Sequence, residues 1–259
     1  MLCIGGSDSG GGAGIQADIK TVTALGGYAA TAVTAVTVQD TLRVHRIHPI
    51  PPEIVAAQIE AVLADLGADA VKTGMLGSAA TVAAVLASLD HARELPLVVD
   101  PVMVASVGAA LMDPDALDGM RRLIARAALV TPNAPEAEAL TGLAVLTTDD
   151  LRRAGERLLS AGVSAALMKG GHVAGDTVID VLMTQTGETL FEGPRVSTRH
   201  THGTGCTLAS ACATGLAQGL PLAEAVARAW AYTAEAIARA PGLGAGAGPL
   251  DHAWPFREG

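Results

Sequence analysis

Only six of the 259 residues are aromatic, and only three are lysine: Lys20, Lys72 and Lys169. The other basic residues, fourteen of the seventeen, are arginines. A chain that uses arginine wherever either cation serves marks each remaining lysine as a candidate for a specific point charge. Three cysteines (Cys3, Cys206, Cys212), none in a Cys-x-x-Cys pair, are too few for a disulfide framework and fit free thiols in a reducing compartment. Cys206 and Cys212 fall on different helical faces and no His-x-x-x-His pair occurs, so no zinc site is indicated. Basic charge is scarce as well. A net charge of −9 and a pI near 5.2 argue against a nucleic-acid surface. They leave room for a phosphate-bearing ligand, which backbone N–H groups can hold locally. No apolar run reaches membrane-spanning length, and the N-terminus shows neither a basic segment nor a cleavage site. The expectation is a soluble, cytoplasmic protein with no membrane or nucleic-acid partner. The G-x-G-x-x-G and Walker G-x-x-x-x-G-K-[ST] spacings are both missing, as are internal repeats and low-complexity linkers.

Half the residues are hydrophobic, enough for one sizeable α/β domain over residues 1–259. Short apolar runs alternate with segments of helical period, the pattern of βαβ units around a mostly parallel sheet. Strands are expected at Leu2–Gly5, Ala30–Val38, Ala70–Lys72, Leu97–Asp100, Leu129–Thr131 and Ala165–Lys169, then a hairpin at Val178–Thr184 and Thr189–Phe191. Helices are expected at Ala13–Leu25, Pro52–Leu66, Ser78–Leu89, Pro114–Arg126, Ala134–Thr141, Thr148–Ala161, Cys206–Gln218 and Pro221–Ala240. Pro52 and Pro114 suit first turns, with Asp113 a cap behind the latter. Gly26, Gly142 and Gly219 suit left-handed C′ positions. The glycine-rich stretch Gly242–Gly248 reads as a loop lying against the fold.

Four segments carry candidate chemistry. Thr201-His202-Gly203-Thr204-Gly205-Cys206-Thr207 runs into the apolar helix Leu208–Leu216. Gly203 and Gly205 allow a sharp turn that exposes successive N–H groups at a helix N-terminus, where the dipole adds about half a positive charge. Such an anion hole suits a phosphoryl group in transit, and Cys206 in the first turn is expected to have a lowered thiol pKa. The same spacing also serves a plain glycine turn with Cys206 as a small core residue. The second segment, Gly5 to Gly14, follows the first strand and combines glycines with Ser7, Ser9 and Asp8; Asp18 lies one turn further on. In the third, Asp100-Pro101-Val102 and Asn133-Ala134-Pro135-Glu136 place polar groups at strand exits, the edge where open α/β sheets bind ligands. Asp100 and Glu136 could hold Mg²⁺ through water, although Asp-Pro also forms ordinary turns. In the fourth, Lys169 ends an apolar strand, ready to neutralise phosphates; His172 beyond it reads as solvent-facing.

In order, the segments GGSDSGGGAGIQADIKT, TAVTVQDT, VKTGMLGS, VVDPVMVA, LVTPNAPEAEAL, LMKGGH, RHTHGTGCTLASA and GPLDH resemble the hydroxymethylpyrimidine/phosphomethylpyrimidine kinases of thiamine biosynthesis, in the ribokinase-like superfamily. The resemblance spans essentially the whole chain. It implies a three-layer α/β/α fold, an ATP site near the helix that opens at Cys206, Mg²⁺, and a homodimer. By matching positions, Gln39 would hydrogen-bond the pyrimidine, and Gly6, Asp18, Met75 and Val102 would line its pocket. Lys169, Asn133, Thr204 and Glu136 would surround the phosphates and metal. Cys206 would take the substrate hydroxyl proton or orient that hydroxyl, where many ribokinase-like enzymes carry an aspartate. The N–H groups of Gly203–Cys206 would stabilise the transferring group.

The chain departs from the family at Ser106-Val107-Gly108-Ala109, where a Lys-Ser-Gly-Asp type segment is usual. Loss of that lysine would affect the second phosphorylation first. The first strand opens a few residues late, as in a trimmed start. Gly244–Gly248 has alanine where histidine is common. Two other readings stay open: a pyridoxal-type kinase, which shares the cysteine anion hole, and a pyrimidine-sensing module without catalysis.

Overall fold

The computed structural model describes residues 1–105 and 108–257. Among these residues, nine strands form one sheet: β1 (Leu2–Asp8), β2 (Ala30–Gln39), β3 (Val44–Pro49), β4 (Val71–Thr73), β5 (Leu97–Val99), β6 (Leu129–Val130), β7 (Ala165–Met168), β8 (Thr177–Thr184) and β9 (Gly187–Pro194). The spatial order is β3-β2-β1-β4-β5-β6-β7-β8-β9, parallel from β2 to β7 and closed at each end by antiparallel strands. The chain runs outward from β1 to β3 and then returns to β4 on the other side of β1. In open α/β sheets such an order reversal marks the carboxyl edge where ligands bind.

Two helical layers cover the sheet. On one face lie α2 (Pro52–Asp65), α3 (Ala79–Ser88), α4 (Leu117–Ala125), α5 (Ala134–Thr141) and α6 (Thr148–Ser160). On the other, α1 (Gly14–Ala24) packs on α7 (Thr204–Ala217), and α7 on α8 (Leu222–Ala238). Alternation within strands divides the core between them. Leu97 and Val99 face the first layer, with Val82, Met120 and Leu151; Val98, Leu129 and Leu167 face the second, with Leu208, Cys212 and Val226. Strands β5, β6 and β7 are short, apolar and buried throughout, as a doubly covered sheet requires. The three-layer α/β fold is thus the one expected.

Boundaries follow local chemistry. Asn133 with Glu136, and Thr147 with Asp150, form complete capping boxes at α5 and α6. Gly26, Gly142 and Gly219 adopt the expected left-handed conformation. The 242–248 loop lies against the β2–β3 turn, with the N–H groups of Gly246 and Ala247 on Thr41. Four expectations need correction. The edge strand β3 was not anticipated, because its His45-Arg46-Ile47-His48 sequence is largely polar. The hairpin strands run longer than expected, at Thr177–Thr184 and Gly187–Pro194. Asp113 makes no side-chain cap, and Pro114 opens a 3-10 turn ahead of α4. Helix α7 starts at Thr204, so Cys206 is its third residue. Among the described residues no helix is long and apolar enough to cross a membrane. Leu167 is fully buried in strand β7, so Leu167→Ala is expected to lower unfolding free energy by about 3 kcal/mol in a urea titration.

Candidate active site

Two glycine-rich loops meet at the carboxyl edge of the sheet. The first leaves β1, and Asp8 organises it: its carboxylate accepts from the N–H groups of Gly10 (2.8 Å), Gly12 (2.9 Å) and Ala13 (2.9 Å). Burial opposes charge on Asp8, but His202 and these N–H groups together hold its carboxyl below the ordinary value. The second loop enters α7 through Gly203, the left-handed N-cap at φ 87°. A Cβ there would lie 1.8 Å from the Gly12 carbonyl oxygen, so the two backbones touch where only glycine fits. Lys20 closes the first loop by donating to the Gly11 carbonyl at 2.7 Å.

The N–H groups of Gly205 and Cys206, in the first turn of α7, have no acceptor within the helix. Facing Gly205 are Lys169 and Asp100: a Cβ on Gly205 would lie 3.1 Å from Lys169 Nζ and 3.4 Å from Asp100 Oδ2. Lys169 Nζ donates to Asp100 Oδ1 at 3.0 Å and stands 3.8 Å from Glu136 Oε2. Thr131 Oγ1 also donates to Asp100 Oδ1, at 3.0 Å. Burial opposes the Lys169 charge, yet Asp100 and Glu136 raise its pKa above the ordinary value. Burial, countered by Lys169 and reinforced by Asp100, pushes the Glu136 carboxyl up to about 7. Asn133 and Lys169 come together across an isolated parallel bridge between their strand exits. The Glu136 carboxylate also accepts from the N–H groups of Asn133 and Met103.

Cys206 is half-buried, and the expected lowering of its pKa does not occur. Burial pushes its thiol up to about 11, reinforced by Asp18 and Asp100 and opposed by Lys72 and a hydrogen bond from the Gly14 N–H. The helix terminus is outweighed by desolvation and by two neighbouring carboxylates. Behind Cys206 lies a buried ion pair: Lys72 Nζ donates to Asp18 Oδ1 at 2.8 Å, and Ser210 Oγ donates to the same oxygen at 2.6 Å. Both charged side chains are essentially sealed from solvent. Burial opposes the ammonium of Lys72, but Asp18, Cys206 and Asp100 hold it charged.

The structure therefore brings together Gly203, Gly205 and Cys206 with Lys169, Asp100, Glu136 and Asn133. It also joins Gly6 to Met75, whose Sδ lies 3.0 Å from where a Gly6 Cβ would be. Gln39 meets the first loop through Ser9, whose Oγ donates to the Gln39 carbonyl at 2.9 Å. Asp18 lies behind this surface on Lys72 and Ser210. Thr204 hydrogen-bonds back to the Thr201 carbonyl at 2.8 Å. Val102 sits half-buried in the turn after Asp100, its N–H on the Asp100 carbonyl. Of the departing segment, Ser106 and Val107 lie outside the described residues. His172 is exposed, as expected. Sequence reasoning assigned no role to Asp8, His202 or Ser210; His202 stood inside the THGTGCT segment, but its partners lie almost two hundred residues away.

A family model for phosphomethylpyrimidine kinase matches residues 8–251. The chain is 50% identical over 253 residues to the thiamine biosynthesis bifunctional protein ThiED of Geobacter sulfurreducens; the match covers 97% of this chain and 52% of that protein, so this chain spans about half its length. It is 48% identical over 259 residues to the hydroxymethylpyrimidine/phosphomethylpyrimidine kinase of Streptomyces coelicolor, covering 100% of this chain and 96% of that one. The phosphomethylpyrimidine kinase of Clostridium difficile superposes with a TM-score of 0.81 at 40% identity, covering 91% of this chain and 98% of that chain. The Bacillus subtilis pyridoxal kinase in its ADP complex superposes with a TM-score of 0.92 at 32% identity, covering 100% and 98%. The family model over residues 8–251 and these full-chain identities show that the chain belongs to the phosphomethylpyrimidine kinase family.

Proposed function

We propose that this chain transfers the γ-phosphoryl group of ATP to the hydroxymethyl oxygen of 4-amino-5-hydroxymethyl-2-methylpyrimidine, and then phosphorylates the resulting monophosphate to the pyrophosphate. The observation that carries the reading is the pairing of the Gly203–Cys206 helix terminus with Lys169 and Asp100 across Gly205. The named activity of the full-length Streptomyces relative supports the choice of pyrimidine. The pyridoxal kinase likeness makes pyridoxal the competitor to test.

In this reading Gln39 holds the pyrimidine ring beside Gly6, Met75 and Val102, with Asp18 supporting the pocket from behind. Lys169, Asn133 and Thr204 lie around the ATP phosphates. The family implies Mg²⁺, and the donors fit it: Asp100 and Glu136 are hard oxygen groups gathered on one ammonium. The Glu136 carboxyl, pushed up to about 7, would release its proton to solvent when a cation binds. Among the described residues no group of three His, Cys, Asp or Glu side chains could hold a bare ion, so Asp100 and Glu136 would hold a hydrated one. When bound, Mg²⁺ supplies charge neutralisation on the phosphates.

The substrate hydroxyl oxygen forms a bond to the γ-phosphorus as the bond from that phosphorus to the bridging oxygen of ADP breaks. The N–H groups of Gly205 and Cys206, with Lys169, meet the charge on the group in transit. A thiol pushed up to about 11 is protonated at neutral pH, so Cys206 orients the hydroxyl rather than removing its proton. The proton leaves late, onto the transferred phosphoryl oxygens, as a loose transition state permits. A cytoplasmic location and a homodimer complete the proposal. Three free cysteines support the first. The second is supported by exposed Val36, Val38 and Leu42 along the β2–β3 edge.

A coupled ADP-release assay with product masses tests the substrate. Transfer to both pyrimidines is expected, while preference for pyridoxal would move the protein to vitamin B6 salvage and no turnover at all would make it a sensor. Cys206→Ala is expected to bind nucleotide normally and lose about 100-fold in kcat through lost orientation, whereas Cys206→Ser, which keeps an orienting oxygen, should retain most turnover. The kcat of the parent protein should stay flat from pH 7 to 9. A climb of about tenfold per pH unit would mean that the thiolate acts as a base.

A further inference from the structure

His202 lies between the two halves of the site and has contacts that cannot all be made as placed. It is buried, immediately before the Gly203 N-cap, and its Nε2 faces Asp8 Oδ2 at 2.9 Å and Gln39 Nε2 at 3.2 Å. Its Nδ1 is buried with no partner. One imidazole nitrogen cannot donate to a carboxylate and accept from an amide at once. The Asp8 carboxyl is held below its ordinary value by its donors, so it is an acceptor only and Nε2 must carry the proton. The other tautomer would set a lone pair against a carboxylate and leave a buried N–H on Nδ1 without an acceptor. With the proton on Nε2, the end of the Gln39 amide that faces His202 must be its oxygen.

The opposite end of the amide gives the same answer independently. Thr37 Oγ1 lies 3.4 Å from Gln39 Oε1 and 3.0 Å from the Ser7 carbonyl oxygen. The single Thr37 hydroxyl proton goes to the Ser7 carbonyl, which can only accept. Toward Gln39 the hydroxyl can then only accept, so the amide must present its nitrogen there. Oxygen and nitrogen of a side-chain amide are assigned from such networks, and a half-turn of the Gln39 amide satisfies both neighbours.

We propose that His202, held by Asp8, is a positioning residue that fixes the Gln39 amide with Oε1 on the imidazole and its N–H₂ beside Thr37, leaving one N–H to donate to an acceptor nitrogen of the pyrimidine ring. The substrate part of this inference rests on the function proposed above; the orientation of the amide does not. The same imidazole belongs to the loop that opens α7, so ring recognition and the phosphoryl cradle share one support. A Cβ on Gly12 would lie 2.6 Å from His202 Cδ2, so the first glycine loop packs directly on the ring as well.

Two measurements test it. In ligand-free protein labelled with ¹⁵N-glutamine, the Gln39 amide protons should show nuclear Overhauser contacts to Thr37 and none to the His202 Hε1 proton. Contacts to the imidazole and not to Thr37 would overturn the assignment, with no dependence on the substrate. Calorimetric affinities for hydroxymethylpyrimidine should then form a coupled cycle. His202→Ala and Gln39→Ala should each weaken binding about tenfold, and the double variant should be no weaker than Gln39→Ala alone. His202→Gln, whose amide nitrogen can donate to both Asp8 and Gln39, should recover binding to within about threefold of the parent. Multiplying losses in the double variant, or no recovery with glutamine, would overturn the positioning role. If parent protein with the expected amide orientation fails to bind the pyrimidine, the proposed substrate falls while the orientation stands.

Discussion

The backbone contact between Gly12 and Gly203 brings the first strand's loop and the last layer's helix into one surface, and the other site groups are arranged around it. A side chain at Gly203 would occupy the space of the Gly12 carbonyl, so the approach depends on glycine on the α7 side. Asp8 stabilises the approach from the other side by gathering three N–H groups and one imidazole on a single carboxylate. Hydrogen bonds to an ionised acceptor are stronger than neutral ones, and here they bind the two loops as one body. The cysteine and the free N–H groups belong to the helix that the second loop opens, and the Gln39 amide at the end of β2 is tied to the loops through Ser9 and His202. A shift of either loop would therefore move the first turn of α7 and the Gln39 amide together.

All three lysines serve this region, in keeping with their scarcity. Lys20 closes the first loop on the Gly11 carbonyl, Lys169 pairs with Asp100, and Lys72 is sealed against Asp18 beneath Cys206. Several arginine ion pairs lie instead on exposed or half-exposed side chains, as in Arg121 with Asp118 or Arg152 with Glu188, where such pairs contribute little. Burying Lys72 with Asp18 costs desolvation on both sides, and replacing such a pair with apolar groups is often neutral for stability. Its position behind the cysteine gives it another use: it supplies a positive charge that opposes the two aspartates around the sulfur.

The fold and the ligand edge were legible in the sequence because both depend on local pattern. Apolar strands bounded by glycine, and helices with caps such as Asn133 and Thr147, declare themselves within a few residues. Their carboxyl ends place Asp100, Asn133 and Lys169 on one edge by topology alone. Strand β3 escaped because an edge strand needs little apolar alternation: its partner β2 supplies the pairing, and His45, Arg46 and His48 face outward in part. The roles of Asp8, His202 and Lys72 escaped for a different reason. Each depends on a partner across the fold, from 54 residues away for Lys72 to 194 for His202, and no local spacing encodes such a contact. The Cys206 pKa was misjudged because a helix terminus is visible in sequence, while burial beside Asp18 and Asp100 is not.

Neutrality at Cys206 fits the charges around it. Two lysines, Lys72 and Lys169, balance Asp18 and Asp100, and burial pushes the Glu136 carboxyl up to about 7. In the proposed reaction a carboxylate in place of the thiol would add a negative charge beside the ATP phosphates, while the third lysine, Lys20, is already engaged on the Gly11 carbonyl. The thiol is polar enough to orient a hydroxyl, and at a pKa of about 11 it stays uncharged. Phosphoryl transfer gains most from positioning and charge neutralisation and least from a strong base. The elevated pKa of Cys206 is therefore compatible with the proposed phosphoryl transfer, because a neutral thiol adds no negative charge at the first turn of α7.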